Sequence, residues 1–208
     1  MKIRYFKTIQ IDVKVLLKFL RDHPPMMEFV HAGEPFYVRV SKKLYPGLIH
    51  CIVSQDEDNA NTIAKWNQLN DFAKKMKPNR VNDLTVDILY AIFGKEKGNL
   101  IKQISKDIVE EKLDLKQLAQ QSEQTIIETL NQYQNLSINT IKTFALFSCF
   151  KQNVLCEEDP DFQKGLQIFL KKQNITQEDI NNIKIEYEGQ LTLFSLCIWK
   201  IKNERAGN

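Results

Sequence analysis

Apolar residues recur every three or four positions along most of the chain, the period that lays them on one face of a helix. Asp12 is placed to cap a helix whose apolar side carries Val13, Leu16, Leu17 and Leu20. His23-Pro24-Pro25 stops that helix, because a residue before proline avoids helical geometry. Met26 to His31 predicts a short helix ended by Gly33, Pro35 to Val40 alternates like a strand, and Met1 to Ile11 is open between extended and irregular. Tyr45 to Val53 is apolar all round and predicts a buried helix. Asp58 predicts the cap of the next, which runs through Ile63 and Trp66 toward Met76, with a loop at Lys77-Pro78-Asn79. Asp83 to Phe93 reads as a helix stopped by Gly94. Leu100, Ile101, Ile104 and Ile108 mark another, and the turn Leu113-Asp114-Leu115 leads to Leu118. Ile126, Ile127, Leu130 and Tyr133 line one more. Thr176 with Asp179 forms a capping box, with Ile175 placed to staple onto Ile180. The closing helix carries Leu191, Phe194, Leu196 and Trp199, and the polar tail after Lys200 is expected to fray.

The stretch from Tyr133 to Leu170 organises the rest. It reads as a helix end, a tight turn at Gln134 to Ser137, a helix from about Ile138 to Phe150, and an acidic turn at Glu157, Glu158 and Asp159. A helix then opens at Pro160, since Asp is a good N-cap and Pro suits the first helical position. Phe162, Leu166, Phe169 and Leu170 give it an apolar stripe, and a core role is the expectation for Phe162. Two roles stand open for Asp159 on these residues: a cap alone, or a carboxylate placed for chemistry.

Composition narrows the class. Only 7 Gly and 6 Pro punctuate 208 residues, so long helices with short connections are expected and the fold class is all-α. With no linker or internal repeat, residues 1–208 read as a single domain, and 43% hydrophobic residues suffice for a core without metals or disulfides. A net charge of +3 permits nucleic acid as a partner without demanding it. Cys51, Cys149, Cys156 and Cys197 show no paired spacing and read as mostly buried thiols in a reducing compartment. His23, His31 and His50 are scattered, so no zinc or iron–sulfur ligand set is expected. No apolar run is long enough to cross a membrane, and no signal-peptide pattern precedes the first helix.

The order of these segments resembles the helix-hairpin-helix DNA glycosylases, in particular the bacterial 3-methyladenine DNA glycosylase II group. Ile52-Val53-Ser54-Gln55-Asp56 with Asp58 resembles I-V-x-Q-Q-x-S. Lys97 with Leu100, Ile101, Ile104, Ile108 and Leu113-Asp114-Leu115 resembles K-A-x-x-I-x-x-L-A…L-D-L. Tyr133 to Cys149 lies without gaps on the hairpin segment L-P-G-[IV]-G-x-[WK]-T-A…F-x-L-F, and Val154 to Gly165 on V-F-P-x-D-D-L-G-L-R-R-G. Tyr187 to Trp199 follows the terminal W-x-P-[YW]-R-S…Y-L-W.

The resemblance implies two helical lobes with a central cleft at Asp159, a hairpin at about 122–150, and a catalytic turn and helix at 154–172. It implies that Asp159 is the catalytic carboxylate of a monofunctional DNA N-glycosylase removing alkylated or damaged purines, with no cofactor. Gln55, Asp56, Asn135, Ser137, Asn139, Lys142 and Lys164 are then the candidate DNA contacts, Lys142 facing solvent or DNA. The implied partner is double-stranded DNA containing damaged bases, bound by a monomer in the cytoplasm at the bacterial nucleoid. Several residues depart from the pattern. Asn135 and Ser137 replace the hairpin glycines, Asn139 stands where relatives carry Trp or a lyase Lys, Asp56 falls on the intercalating position, and Leu191 replaces the terminal arginine. The alternatives are a catalytically degenerate DNA-binding protein of the same fold and a helical interaction module.

Overall fold

The computed structural model describes residues 5–31 and 33–205; residues 1–4 of the N-terminal stretch and 206–208 of the tail lie outside them. Strand β1 (Phe6–Gln10) pairs with β2 (Tyr37–Ser41). The pair is antiparallel: the Ile11 N–H reaches the Phe36 carbonyl at 2.8 Å at one end, and Ser41 Oγ reaches the Tyr5 carbonyl at 3.3 Å at the other. The remaining elements are helical, in agreement with the all-α class expected from the sequence.

Between the strands lie α1 (Val13–Asp22) and a 3-10 segment, Pro24–Glu28, where the sequence predicts a helix two residues later. Asp12 caps α1 through Oδ1 on the Lys14 N–H, 2.7 Å. The apolar side differs from the expectation, because Leu16, Phe19 and Leu20 are buried whereas Val13 and Leu17 are 42% and 46% exposed. At 100° per residue the inward arc centres near Leu16 and takes in Phe19 and Leu20, leaving Leu17 about 100° from that centre.

Ten helices follow β2 before the last. They are α2 (Leu44–Ser54), α3 (Asn59–Ala73), α4 (Pro78–Asn82), α5 (Val86–Phe93), α6 (Lys95–Val109), α7 (Leu115–Leu118), α8 (Glu123–Leu130), α9 (Ile138–Phe147), α10 (Pro160–Leu170) and α11 (Gln177–Glu186). The closing α12 spans Leu191–Arg205. Caps set the starts: Asp58, Asp114, Ser122, Ser137, Asp159 and Thr176 each accept a first-turn N–H, and Thr176 with Asp179 completes the capping box. Several boundaries differ from the reading of the sequence: the helix expected from Asp83 starts at Val86, and the one expected to reach about Phe150 ends at Phe147. Pro78 opens α4 instead of lying in a loop, since proline's missing N–H is no loss at a first helical position. The tail is helical to Arg205, because Ile201 is buried and Lys200 pairs with Glu34 at 3.2 Å and with Glu204.

The described residues cluster into two compact units. One consists of Ser41–Phe150 with Tyr5 and Phe6, the other of Lys7–Val40 and the chain from Lys151 on. In the first, α2 is buried on nearly every side, as its all-round apolar pattern predicts. Gly47 allows its close approach to the end of α9: a Cβ there would lie 2.2 Å from Ser148 Oγ. In the second, α10 and α12 pack together. A Cβ on Gly165 would lie 2.3 Å from the Ile198 carbonyl oxygen, so only glycine permits this helix spacing. Phe162, Leu166, Phe194 and Ile198 are fully buried there, each worth about 1.5–3 kcal/mol of burial.

Candidate functional site

Asp159 lies in the turn before α10, and its carboxylate is fixed from two directions. Oδ1 accepts the Phe162 backbone N–H at 2.8 Å, closing the N-cap, and the Trp199 indole N–H, also at 2.8 Å. The Asp159 N–H donates to the Cys156 carbonyl at 3.0 Å. The Trp199 ring stands edge-on to Phe162, centroids 6.4 Å apart, so ring packing holds the indole that holds the carboxylate.

Helix α12 fastens the whole approach to this turn. Thr192 Oγ1 accepts the Val154 N–H at 3.1 Å and donates to the Lys151 carbonyl at 2.7 Å. Ser195 Oγ donates to the Val154 carbonyl at 3.1 Å. Thr192, Ser195 and Trp199 are spaced three and four apart, hence on one face of α12. Sequence reasoning missed this polar stripe, whose signal was present: hydrogen-bonding residues at helical spacing inside an otherwise apolar helix.

The acidic turn is less exposed than a solvated loop. Glu157 pairs with Lys184 at 2.7 Å, and its carbonyl accepts Gln163 Nε2 at 2.6 Å. Asp161, on the first turn of α10, pairs with Lys202 at 2.9 Å, while Lys164 stands exposed one helical turn further on. Among the described residues, no group of three or more His, Cys, Asp or Glu is placed to hold a metal ion, and no helix is long and apolar enough to cross a membrane.

The other candidate residues lie in the first unit. Asn135 takes the left-handed conformation, φ +65°, that a hairpin glycine would adopt, and Ser137 caps α9. Gln55, read from the sequence as a DNA contact, turns toward the hairpin. Its Nε2 donates to the Asn135 carbonyl at 3.0 Å, and its Oε1 accepts the Ser137 N–H at 3.0 Å and Thr140 Oγ1 at 2.8 Å. Because Thr140 gives its proton to Gln55, the Ser137 hydroxyl is the donor in its 2.8 Å contact with Thr140 Oγ1.

Asp56 is exposed at φ +59°. Its acidic neighbours are occupied: Asp58 caps α3, and Glu57 pairs with Lys65 and, at 3.2 Å, with Lys97. Hydrogen bonding from Lys65 holds the Glu57 carboxyl below its ordinary pKa. Lys97 also donates to the Gln55 carbonyl at 2.6 Å, where the carbonyls at the end of α2 attract a cation. Beside the hairpin a cavity of about 320 Å³ is lined by Gln55, Asp56, Gly94, Lys95, Lys97 and Asn135, among others. Asn139 is half-buried on the first turn of α9. Lys142, expected to face solvent or DNA, is only 9% exposed, on a helix whose residues from Thr140 to Leu146 are buried but for Thr143.

No family model matches the chain, and no curated protein matches it by sequence. Solved structures do. A DNA-3-methyladenine glycosidase from Bacillus halodurans superposes with a TM-score of 0.81 at 17% identity, covering 97% of this chain and 95% of that one. The Schizosaccharomyces pombe 3-methyladenine DNA glycosylase in complex with abasic DNA gives 0.75 at 17% identity, over 91% and 96%. A Clostridium acetobutylicum 8-oxoguanine glycosylase/lyase with double-stranded DNA gives 0.72 at 13% identity, over 95% of this chain and 72% of that one. The chain therefore has the fold of the helix-hairpin-helix DNA glycosylases.

Proposed function

We propose that the protein is a monofunctional DNA glycosylase that hydrolyses the N-glycosidic bond of alkylated or otherwise damaged purines, acting as a monomer on double-stranded DNA at the nucleoid. The observation that carries this reading is the Asp159 carboxylate, anchored at one oxygen by two N–H donors in the turn before α10. The fold shared with solved 3-methyladenine glycosylases supports it.

Excision of a base requires the nucleotide to leave the stack. As the glycosidic bond breaks, its electron pair departs with the base and positive charge develops on the sugar. A fixed carboxylate opposes that charge and orients the water that adds to the anomeric carbon. Asn139 carries no amine for a Schiff base, so water is the nucleophile and no strand-cleaving lyase step occurs.

The DNA-facing residues in this proposal are Asn135 and Asn139 on the hairpin, Lys151 and Lys164 beside the Asp159 turn, and the Asp56 loop. The expected result with a panel of lesion-bearing duplexes is free base and an intact abasic strand. Trapping of a protein–DNA adduct by borohydride, or release of no base from any duplex, would contradict it.

A further inference from the structure

The turn of the hairpin is held by one side chain from outside it. Asn135 presents a carbonyl and Ser137 an N–H, so only one orientation of the Gln55 amide satisfies both, and Oε1 then receives two donors, from Ser137 and Thr140. The backbone of Gln55 is itself anchored. Its N–H donates to the Cys51 carbonyl at 3.1 Å, and its carbonyl accepts Lys97 Nζ, which Glu57 holds in place. The clamp is therefore fixed at one end by α2 and Lys97, and its free end fits both sides of the turn that bears Asn135 in the left-handed region.

We infer that Gln55 is a positioning residue: it sets the conformation of Asn135 and Ser137 for nucleic-acid binding without touching nucleic acid itself. The inference rests on the proposed DNA-binding role of the hairpin. It also makes the Ser137 N–H an internal donor, so phosphate contact falls to the outer face of the turn at Asn135.

The test uses the full chain and two variants, Gln55→Ala and Gln55→Glu. The readouts are amide hydrogen exchange at Ser137 in the free protein and affinity for an undamaged duplex over a salt series. Gln55→Ala should speed Ser137 exchange and weaken duplex binding each by roughly tenfold, the scale of losing one or two hydrogen bonds. The slope of log affinity against log salt should not change, because no phosphate contact is removed. Gln55→Glu keeps the acceptor for Ser137 and Thr140 and loses the donor to Asn135, so it should fall between the parent and the Ala variant on both readouts. It also serves alone if the Ala variant does not fold.

Unchanged Ser137 exchange in the variants, with the parent binding duplex, overturns the clamp. So does faster exchange with undiminished affinity. Absence of duplex binding by the parent overturns the DNA reading, and the positioning role with it.

Discussion

The indole N–H of Trp199 and the carboxylate of Asp159 meet at 2.8 Å, forty residues apart in the chain, on the same oxygen that caps α10. A cap alone needs only the Phe162 N–H, so the second donor sets the direction of the carboxylate beyond what helix initiation requires. Trp199→Phe keeps a ring against Phe162 and removes the N–H. It should slow single-turnover base release by roughly tenfold, the scale of one hydrogen bond to a charged group, with the fold preserved. Release at the parental rate would show that the indole does not position the carboxylate.

Gly165→Ala probes the packing that brings α12 to the Asp159 turn. The added methyl would meet the Ile198 carbonyl oxygen at 2.3 Å, a backbone atom that moves only with its helix. The expected cost is about 1–3 kcal/mol or more, read as a lower urea midpoint. An unchanged midpoint would mean that the two helices separate freely.

Duplex binding should be weak and salt-sensitive. With Lys142 enclosed, Lys151 and Lys164 remain as candidate phosphate contacts, which gives a slope of log affinity against log salt of about −2. Glu57 and Asp58 are engaged within the protein, Asp58 as an exposed helix cap, which leaves Asp56 as the negative charge of its loop that serves no internal partner among the described residues. Asp56→Leu should therefore tighten binding at low salt; a titration showing equal or weaker binding would remove Asp56 as the obstacle.

Asp179 predicts an acid dependence. Lys172, at 2.6 Å, and the capping-box bonds to Thr176 hold its carboxyl down at about 2, below an ordinary 3.8. A depressed native pKa stabilises the folded state above the ordinary value and loses that contribution as pH falls through the native one. Asp179→Asn should flatten the fall in stability between about pH 4 and pH 2, measured by urea unfolding across that range. Parallel pH profiles for the two proteins would exclude the linkage.

Helix starts were legible in the sequence because capping is local: Asp12, Asp58, Asp159 and Thr176 each serve a helix within three residues. So was the all-round burial of α2. Long-range partners were not. The amide of Gln55 looks the same in sequence whether it faces DNA or a hairpin eighty residues away, and a lysine such as Lys142 gives no sign that it will be buried. The polar stripe of α12 gave a signal at helical spacing, yet its partners in the 151–159 segment emerge only once the chain is folded.

The most direct test of the account is base release from a duplex carrying an alkylated purine, measured under single-turnover conditions for the parent and for Asp159→Asn. The Asn side chain retains an oxygen for the Phe162 and Trp199 N–H groups and removes the charge. Release by the parent and at least a ~10²-fold slower rate for the variant are expected, with an unchanged circular-dichroism spectrum. Equal release by the two proteins would contradict it and leave Asp159 as a helix cap.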